Sequence, residues 1–410
     1  MITSEYRQRI GGTIAFIDCE VGADDKKIHD IGAVTSENIE LHTGSVRELE
    51  DFLLGSEYIC GHNIIAHDLK YLLPVFSRTY GFRYIDTLCL SPLLFPERPY
   101  HALLKDDKLI SDELNNPLND AKKARSLFYD EINAFSKLDL PKKRLFFTLL
   151  GDKPEFSGFF RFVGFDQGFE ELSEAAHSIY AGMICAESDI ESLASEYPVE
   201  LAYALALVGT NDHYSITPPW LTKSHPQIET VMKFLRSIPC GKCDYCRGAL
   251  DIHKKLREFF GYDSFRTYNG EPLQEKAAQA AVDGRSLLAV FPTGGGKSIT
   301  FQLPALIAGR AERGLTVVIS PLQSLMKDQV DNLSEKGIVD AVTVNGMLSP
   351  IERSEAIARV AEGLASLLYI SPEQLRSKTV ERLLLSRNVV RFVIDEAHCF
   401  SAWGQDFRVD

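Results

Sequence analysis

The chain has 410 residues, of which 45% are hydrophobic and 25% charged, with 28 Gly, 18 Pro and a formal net charge of −13. Such a composition excludes a collagen-like, mucin-like or wholly disordered chain, and at about 150 residues per domain the length predicts two to four domains. No apolar run reaches the ~18 residues of a membrane span, charged residues Glu5, Arg7 and Arg9 precede any apolar stretch, and eight cysteines are too few for a disulfide scaffold, so a cytoplasmic protein is expected.

In chain order, residues 12–18 (GTIAFID) and 28–34 (IHDIGAV) have the alternation of strands. Residues 45–54 read as a helix with Ser45 as N-cap and Glu48 three positions on, the pattern of a capping box. A strand end is expected at 58–61, a helix at 67–80, and a helix over 118–135 introduced by Pro117. Together these predict an α/β module over residues 1–135.

Residues 136–250 predict a mainly helical connecting domain, with helices near 170–178, 198–208 and 227–237. Phe146, Phe147, Phe156, Phe159, Phe160 and Phe162 read as core rather than as a base-stacking platform, and 217–221 (TPPWL) reads as a turn or linker. There is no internal repeat and no low-complexity tract. From 251 to 410 the alternation of strands (286–291, 315–320, 341–344, 367–370, 389–394) with helical patterns predicts a mostly parallel sheet with helices on both faces.

The expected strand 286–291 runs into Pro292-Thr293-Gly294-Gly295-Gly296-Lys297-Ser298 and then a helix. Glycines let backbone N–H groups converge on phosphate oxygens, and a helix N-terminus adds its dipole. In that context Lys297 reaches the β- and γ-phosphates of ATP, Ser298 ligates Mg²⁺, and Thr293, Gly294, Gly295 and Gly296 cradle the nucleotide. The general pattern has Gly where this chain has Phe291. Further on, an apolar strand ends in Asp395-Glu396-Ala397-His398. Two carboxylates are thus expected at the carboxyl edge of the sheet, Asp395 holding Mg²⁺ through water and Glu396 orienting and deprotonating the attacking water.

These residues, with FQLPA at 301–305, SPLQSLMKDQ at 320–329, SPEQL at 371–375 and DEAHCFSAWGQDFR at 395–408, resemble the first motor lobe of a RecQ-type superfamily 2 DNA helicase. The resemblance covers about 257–410 and implies a RecA-like lobe. It also implies that Trp403, Phe407 and Arg408, in the aromatic-rich loop, contact single-stranded DNA, which suits stacking of a ring on a base and pairing of Arg with phosphate. Phe265, Arg266 and Gln274 are similar to the family's adenine-recognition element, with seven residues between Arg266 and Gln274 where the family usually has two. Motors of this family carry a second lobe with arginine fingers. The chain stops at Asp410, so the resemblance implies an N-terminal portion that binds nucleotide but unwinds DNA poorly alone.

Near the other end, Asp18 and Glu20 are two positions apart in a strand and so share one face. Asp68 follows in GHNIIAHD (61–68) and Asp120 in NNPLNDA (115–121). Four carboxylates of this kind suit two Mg²⁺ or Mn²⁺ ions and phosphodiester hydrolysis. Their order resembles the DEDD family of 3′–5′ exonucleases, which implies a ribonuclease-H-like fold over roughly 10–135, with Asp86-Thr87-Leu88 as a supporting element. Asn115 and Asn116 stand where the two subfamilies carry a histidine or a tyrosine base, and Asn accepts no proton at neutral pH. His67 and His101 are the candidate substitutes.

Cys240, Cys243 and Cys246 supply three thiolates in seven residues, which with one distant ligand suit tetrahedral Zn²⁺ or a [4Fe–4S] cluster. Cys185 is the expected fourth ligand, with His225 and His253 as alternatives. The string resembles the CGxCDxC of the RecQ zinc module, although it precedes the motor here. Cys19, Cys60, Cys89 and Cys399 are expected as buried thiols. The function expected is an ATP-dependent DNA helicase with an exonuclease-like domain, acting on single-stranded, forked or 3′-ended DNA in repair, recombination or defence. The alternative is a nucleotide-switched DNA-end binder whose nuclease fold is inactive; an RNA-directed enzyme is less well matched to the motifs.

Overall fold

A computed structural model of the chain describes residues 12–22, 24–77, 81–98, 116–210, 217–292 and 294–398. It divides into two compact units, Met1–Ile179 with Ile190–Leu207, and Tyr180–Asp189 with Val208–Asp410. None of the described helices is long and apolar enough to cross a membrane.

The first unit is built on β1 (Ile14–Val21), β2 (Ile28–Thr35), β3 (Glu40–Thr43), α1 (Val46–Phe52), β4 (Tyr58–Gly61), α2 (Asp68–Leu72), β5 (Arg83–Asp86), α3 (Thr87–Leu94) and α4 (Pro117–Lys137). The helices α5 (Leu140–Leu150), α6 (Pro154–Phe162), α7 (Leu172–Ile179), α8 (Ile190–Glu196) and α9 (Pro198–Val208) follow. The sheet order is β3-β2-β1-β4-β5. β1, β2 and β3 pair antiparallel, whereas β1, β4 and β5 run parallel.

β1 is central and therefore apolar on both faces. Ala15, Ile17 and Cys19 join Leu49, Leu53, Ile64, Leu69 and Leu72 in the core beneath α1 and α2. Phe16 points the other way and meets Phe128 of α4 at 5.7 Å between ring centroids. Pairing of β1 with β2 and β4 thus fixes two faces, and Asp18 and Glu20 share the face of Phe16. The buried positions of α4 (Pro117, Ala121, Ala124, Phe128, Glu131, Ile132, Phe135) recur every three or four residues, the stripe of a helix lying on a sheet. Phe146, Phe156, Phe159, Phe160 and Phe162 are buried, as core side chains should be, whereas Phe147 is half-buried.

The second unit holds α10 (Pro219–Ser224), α11 (Ile228–Arg236), α12 (Asp244–Ala249), α13 (Ile252–Phe260), α14 (Leu273–Val282), α15 (Ile299–Glu312), β6 (Leu315–Ile319), α16 (Gln323–Glu335), β7 (Ala341–Val344), α17 (Pro350–Ala361), β8 (Leu367–Ile370), α18 (Lys378–Leu385) and β9 (Val389–Ile394). Its sheet, in the order β7-β8-β6-β9, is parallel throughout. Ile319 is level with both Ile370 and Ile394, and Val344 with Ile370, so all four strands end at one edge. One sheet face packs Val318, Leu367 and Tyr369 with Leu303, Leu306 and Ile307 of α15. The opposite face packs Val317, Ile319, Leu368 and Ile370 with Val360, Val380 and Leu383.

Four local expectations are corrected. The strand expected over 286–291 is absent from the described sheet, and Leu288 and Val290 are 82% and 79% exposed. A β-prone run becomes a strand only by pairing, and these residues carry no ladder hydrogen bonds. The helix expected over 67–80 closes early as α2, because Pro74 has no N–H to extend its ladder. TPPWL is a helix start, with Pro219 at the first position of α10, where the missing N–H costs nothing. The capping box at α1 forms by half: Ser45 accepts from the Glu48 N–H, but the Glu48 carboxylate accepts instead from the Thr43 hydroxyl at 2.6 Å.

Candidate functional site

In the second unit the glycine loop between residues 292 and 298 leads into α15. Thr293 lies outside the described residues. Gly294 and Gly296 have φ of 74° and 70°, a left-handed conformation that favours glycine. The Gly295 N–H donates to the Pro292 carbonyl at 3.0 Å, which closes the turn. The Lys297 ammonium lies 2.8 Å from Oε1 of Glu396, an ion pair between motifs 99 residues apart. Parallel pairing of β6 with β9 sets this up, for the Asp395 N–H donates to the Ile319 carbonyl at 2.9 Å and the chain then turns out over the sheet edge.

Electrostatics differ between the two acids. The hydrogen bond from Lys297 holds the Glu396 carboxyl below the usual carboxylate range, and burial pushes Asp395 above it. His398 Nδ1 stands 3.2 Å from the other oxygen of Glu396. Ser298 occupies the position before the first turn of α15. Gln302, of the FQLPA run, donates to Gln329 at 2.7 Å and to the Tyr369 hydroxyl at 3.0 Å, which ties α15 to α16 and β8. Gln274 is buried with both ends of its amide engaged: its oxygen accepts from the Arg266 N–H at 2.8 Å and its nitrogen donates to the Gly296 carbonyl at 2.8 Å. Trp403, Phe407 and Arg408 lie outside the described residues.

In the first unit Asp18 on β1 responds to the three other acids of the set. Its carboxyl is pushed up to about 8, by burial first and then by repulsion from Asp68, Asp120 and Glu20. Asp68 is buried at the start of α2, and its Oδ1 accepts from the Cys19 N–H at 2.8 Å. Asp120 sits in the first turn of α4. Two residues not singled out as site residues hold this arrangement. Gly32 is level with Asp18 across the ladder, and a Cβ there would lie 2.0 Å from the Leu118 nitrogen, so only glycine lets α4 come down beside β1. Buried Asp86 accepts from the N–H groups of Asn63, Ile65 and Leu88 at 2.8, 3.1 and 3.0 Å, fixing the loop that carries Asp68. Neither role leaves a local sequence signal, although the Asp86-Thr87-Leu88 string pointed to the neighbourhood.

Asn116, at the position of the tyrosine-type base, is the N-cap of α4 and accepts from the Leu118 and Asn119 N–H groups. His67 Nδ1 is 3.7 Å from Asp68. His101 and Asn115 lie outside the described residues. The four acids do not gather as tightly as the thiols described next.

Cys185, Cys240, Cys243 and Cys246 bring their sulfurs within 4.8 Å of one another, the one set of three or more Cys, His, Asp or Glu side chains so grouped among the described residues. The turns of the cysteine string point its N–H groups at sulfur: Cys243 N–H donates to Cys240 Sγ at 3.4 Å and Cys246 N–H to Cys243 Sγ at 3.3 Å. Backbone N–H groups of Lys242 and Cys243 lower the Cys240 thiol to about 6, whereas burial pushes Cys185 and Cys246 up. Cys185 is held by its own N–H, which donates to the Leu235 carbonyl at 2.8 Å. His253 instead pairs with Glu275 at 3.2 Å, and neither it nor His225 belongs to the group. Cys19 and Cys60 are buried thiols and Cys89 is half-buried, while Cys399 lies outside the described residues.

Comparison with known proteins bears on the glycine loop and its acidic partner. Residues 271–410 match the DEAD/DEAH box helicase family. The chain is 46% identical over 154 residues to the ATP-dependent DNA helicase RecQ of Bacillus subtilis, covering 37% of this chain and 24% of that protein. It is 42% identical over 166 residues to the ATP-dependent DNA helicase Q5 of Rattus norvegicus, covering 39% of this chain and 16% of that protein. With the ATP-dependent helicase SGS1 of Saccharomyces cerevisiae it shares 39% over 165 residues, covering 39% of this chain and 11% of that protein. The chain therefore spans a quarter or less of the length of these relatives, and residues 271–410 form a DEAD/DEAH box helicase domain with RecQ-type relatives.

Proposed function

We propose that residues 251–410 are the first RecA-like lobe of an ATP-driven, RecQ-type DNA motor, and that residues 1–135 are a metal-dependent 3′–5′ exonuclease of the DEDD type. The observation that carries the motor reading is the Lys297–Glu396 pair at 2.8 Å. It brings the cation of the loop and the acid of the DEAH string to one point at the strand ends, where a γ-phosphate and its attacking water belong. With nucleotide bound, Lys297 would turn to phosphate, Ser298 and Asp395 would hold Mg²⁺, and Glu396 would be free to orient water. Mg²⁺ supplies neutralisation of phosphate charge there.

The nuclease reading is supported by the strand order β3-β2-β1-β4-β5, with two antiparallel and two parallel pairings, as in a ribonuclease-H-like sheet. Crowding of Asp68, Asp120 and Glu20 around Asp18 supports it as well: like charges collected in one place are the usual preparation for divalent cations. One observation favours the inactive alternative, since the Asn116 amide is used in capping α4 and supplies no base. DNA substrates with ATP and metal varied separately decide the matter. Degradation of 3′-ended DNA that needs Mg²⁺ or Mn²⁺ and disappears in Asp18→Ala/Glu20→Ala supports the nuclease. Identical behaviour of the two proteins leaves an end-binding module. ATP binding that is lost in Lys297→Ala supports the motor, and its absence from the unaltered chain removes it.

For the four thiols we infer a single Zn²⁺. Tetrahedral zinc with Zn–S bonds of about 2.3 Å spaces its ligand sulfurs about 3.8 Å apart. The observed grouping within 4.8 Å suits that better than a cubane, whose four irons spread the thiolates farther. Metal analysis of the purified chain should give one zinc and no iron; a brown protein absorbing near 400 nm would reverse the assignment.

A further inference from the structure

Between Arg266 and Gln274 the chain makes a hairpin that the motor motifs leave unexplained. Tyr268 and Glu271 exchange backbone hydrogen bonds, each 2.9 Å. Asn269 and Gly270 between them have φ of 50° and 81°. Positive φ at both central residues is what a tight two-residue turn of type I′ requires, and Asn-Gly is its favoured sequence. Lys276 pairs with Glu271 across the base of the turn at 2.8 Å. The hairpin thus holds Tyr268 in one place. Its ring packs on Phe291 at 5.2 Å, and its hydroxyl donates to the Gly295 carbonyl.

Tyr268 is the middle of three donors on successive carbonyls of the phosphate loop. Arg266 Nη1 donates to Gly294 at 3.2 Å, and Gln274 Nε2 donates to Gly296 at 2.8 Å. A trans peptide directs its N–H opposite to its C=O. Tying down the Gly295 and Gly296 carbonyls therefore turns the N–H groups of Gly296 and Lys297 to the other side of the loop, where the phosphates belong. We propose that Tyr268, carried on the 268–271 hairpin, is a positioning residue that presets the phosphate loop for di- and triphosphates. The proposal rests on the motor reading above. Tyr268 acts through Gly295, and the part of the nucleotide it serves is the phosphate chain rather than the base.

The test is Tyr268→Phe in the full chain, which keeps the ring and removes the donor, beside Lys297→Ala. Fluorescent ATP and ADP analogues and adenosine are titrated, and steady-state ATP hydrolysis is measured. Loss of one neutral hydrogen bond to a preset loop should weaken ATP and ADP binding about fivefold to tenfold. KM should rise accordingly, with kcat, adenosine affinity and melting temperature unchanged. A second variant, Gly270→Val, strains the turn and should reproduce the phosphate-specific loss. Equal binding of ATP by Tyr268→Phe and the unaltered chain overturns the proposal. So does parallel weakening of ATP and adenosine, which would put Tyr268 against the base, or a fall in kcat and melting temperature alone, which would make it merely structural. If the unaltered chain binds ATP no better than Lys297→Ala, the motor reading fails and the proposal falls with it.

Discussion

The Lys297 ammonium holds the Glu396 carboxyl below the usual carboxylate range, and in the proposed motor nucleotide would draw that ammonium away. Glu396→Gln preserves a hydrogen-bonding partner for Lys297 but takes no proton from water. ATP affinity should stay close to that of the unaltered chain while phosphate release slows by about 10²–10⁴-fold; nucleotide titration and single-turnover hydrolysis separate the two. Asp18 is poised the opposite way. Its carboxyl in the fold is pushed up to about 8, against about 3.9 in an unfolded chain. Between those values the folded state binds the extra proton, so stability contributed by this group falls as pH rises from about 4 to about 8. The first unit should therefore melt lower at pH 8 than at pH 5.5 without metal. Mg²⁺ or Mn²⁺ should close the gap and release a proton on binding, which calorimetry in two buffers of different ionisation heat detects. Asp18→Asn should flatten the dependence. Both acids were legible because each follows an apolar run in the sequence, whereas Tyr268 was not: nothing in its sequence neighbourhood names Gly295 as its partner.

At the level of elements, the acidic site depends on how low α4 rides on the sheet. A Cβ on Gly32 would meet the Leu118 nitrogen at 2.0 Å and the Pro117 carbonyl carbon at 2.1 Å, and backbone has no rotamer by which to give way. Gly32→Ala must lift the start of α4 and carry Asp120 away from Asp18. We expect a loss of about 1–3 kcal/mol in stability and weaker Mn²⁺ binding. Gly81→Ala, where a Cβ meets nothing within 4 Å, is the matched control, and calorimetry with Mn²⁺ titration checks both. The α4 stripe itself was readable, since Pro117, the cap and the three-to-four spacing are all local. The sequence 198–208 likewise became α9 within the expected bounds. What local reading could not supply was pairing. Short β3 and β5 exist because β2 and β4 offer them edges, and 286–291 is β-prone yet unpaired in the described sheet. Gly32 is a case of the same kind, a residue whose purpose lies with a helix far along the chain.

For the molecule as a whole, the two proposed phosphate-handling sites share no residue. Asp18, Glu20, Asp68 and Asp120 belong to the first unit, and Lys297, Ser298, Asp395 and Glu396 to the second. Each carries its own source of organisation. In the first it is the fit of α4 on Gly32 and the Asp86 clasp, and in the second it is the aligned ends of a parallel sheet with the braced glycine loop. Separate cores make the two chemistries separable by mutation, because substitutions without shared partners act additively. Lys297→Ala should abolish ATP hydrolysis and leave metal-dependent degradation of single-stranded DNA in the absence of ATP at its original rate. Asp18→Ala/Glu20→Ala should do the reverse. Time courses of DNA degradation and of phosphate release, run on the two variants and their combination, read this directly. If Lys297→Ala also slowed degradation without ATP while melting normally, the nuclease would depend on the ammonium of the other unit, and the assignment of one chemistry to each unit would have to be given up.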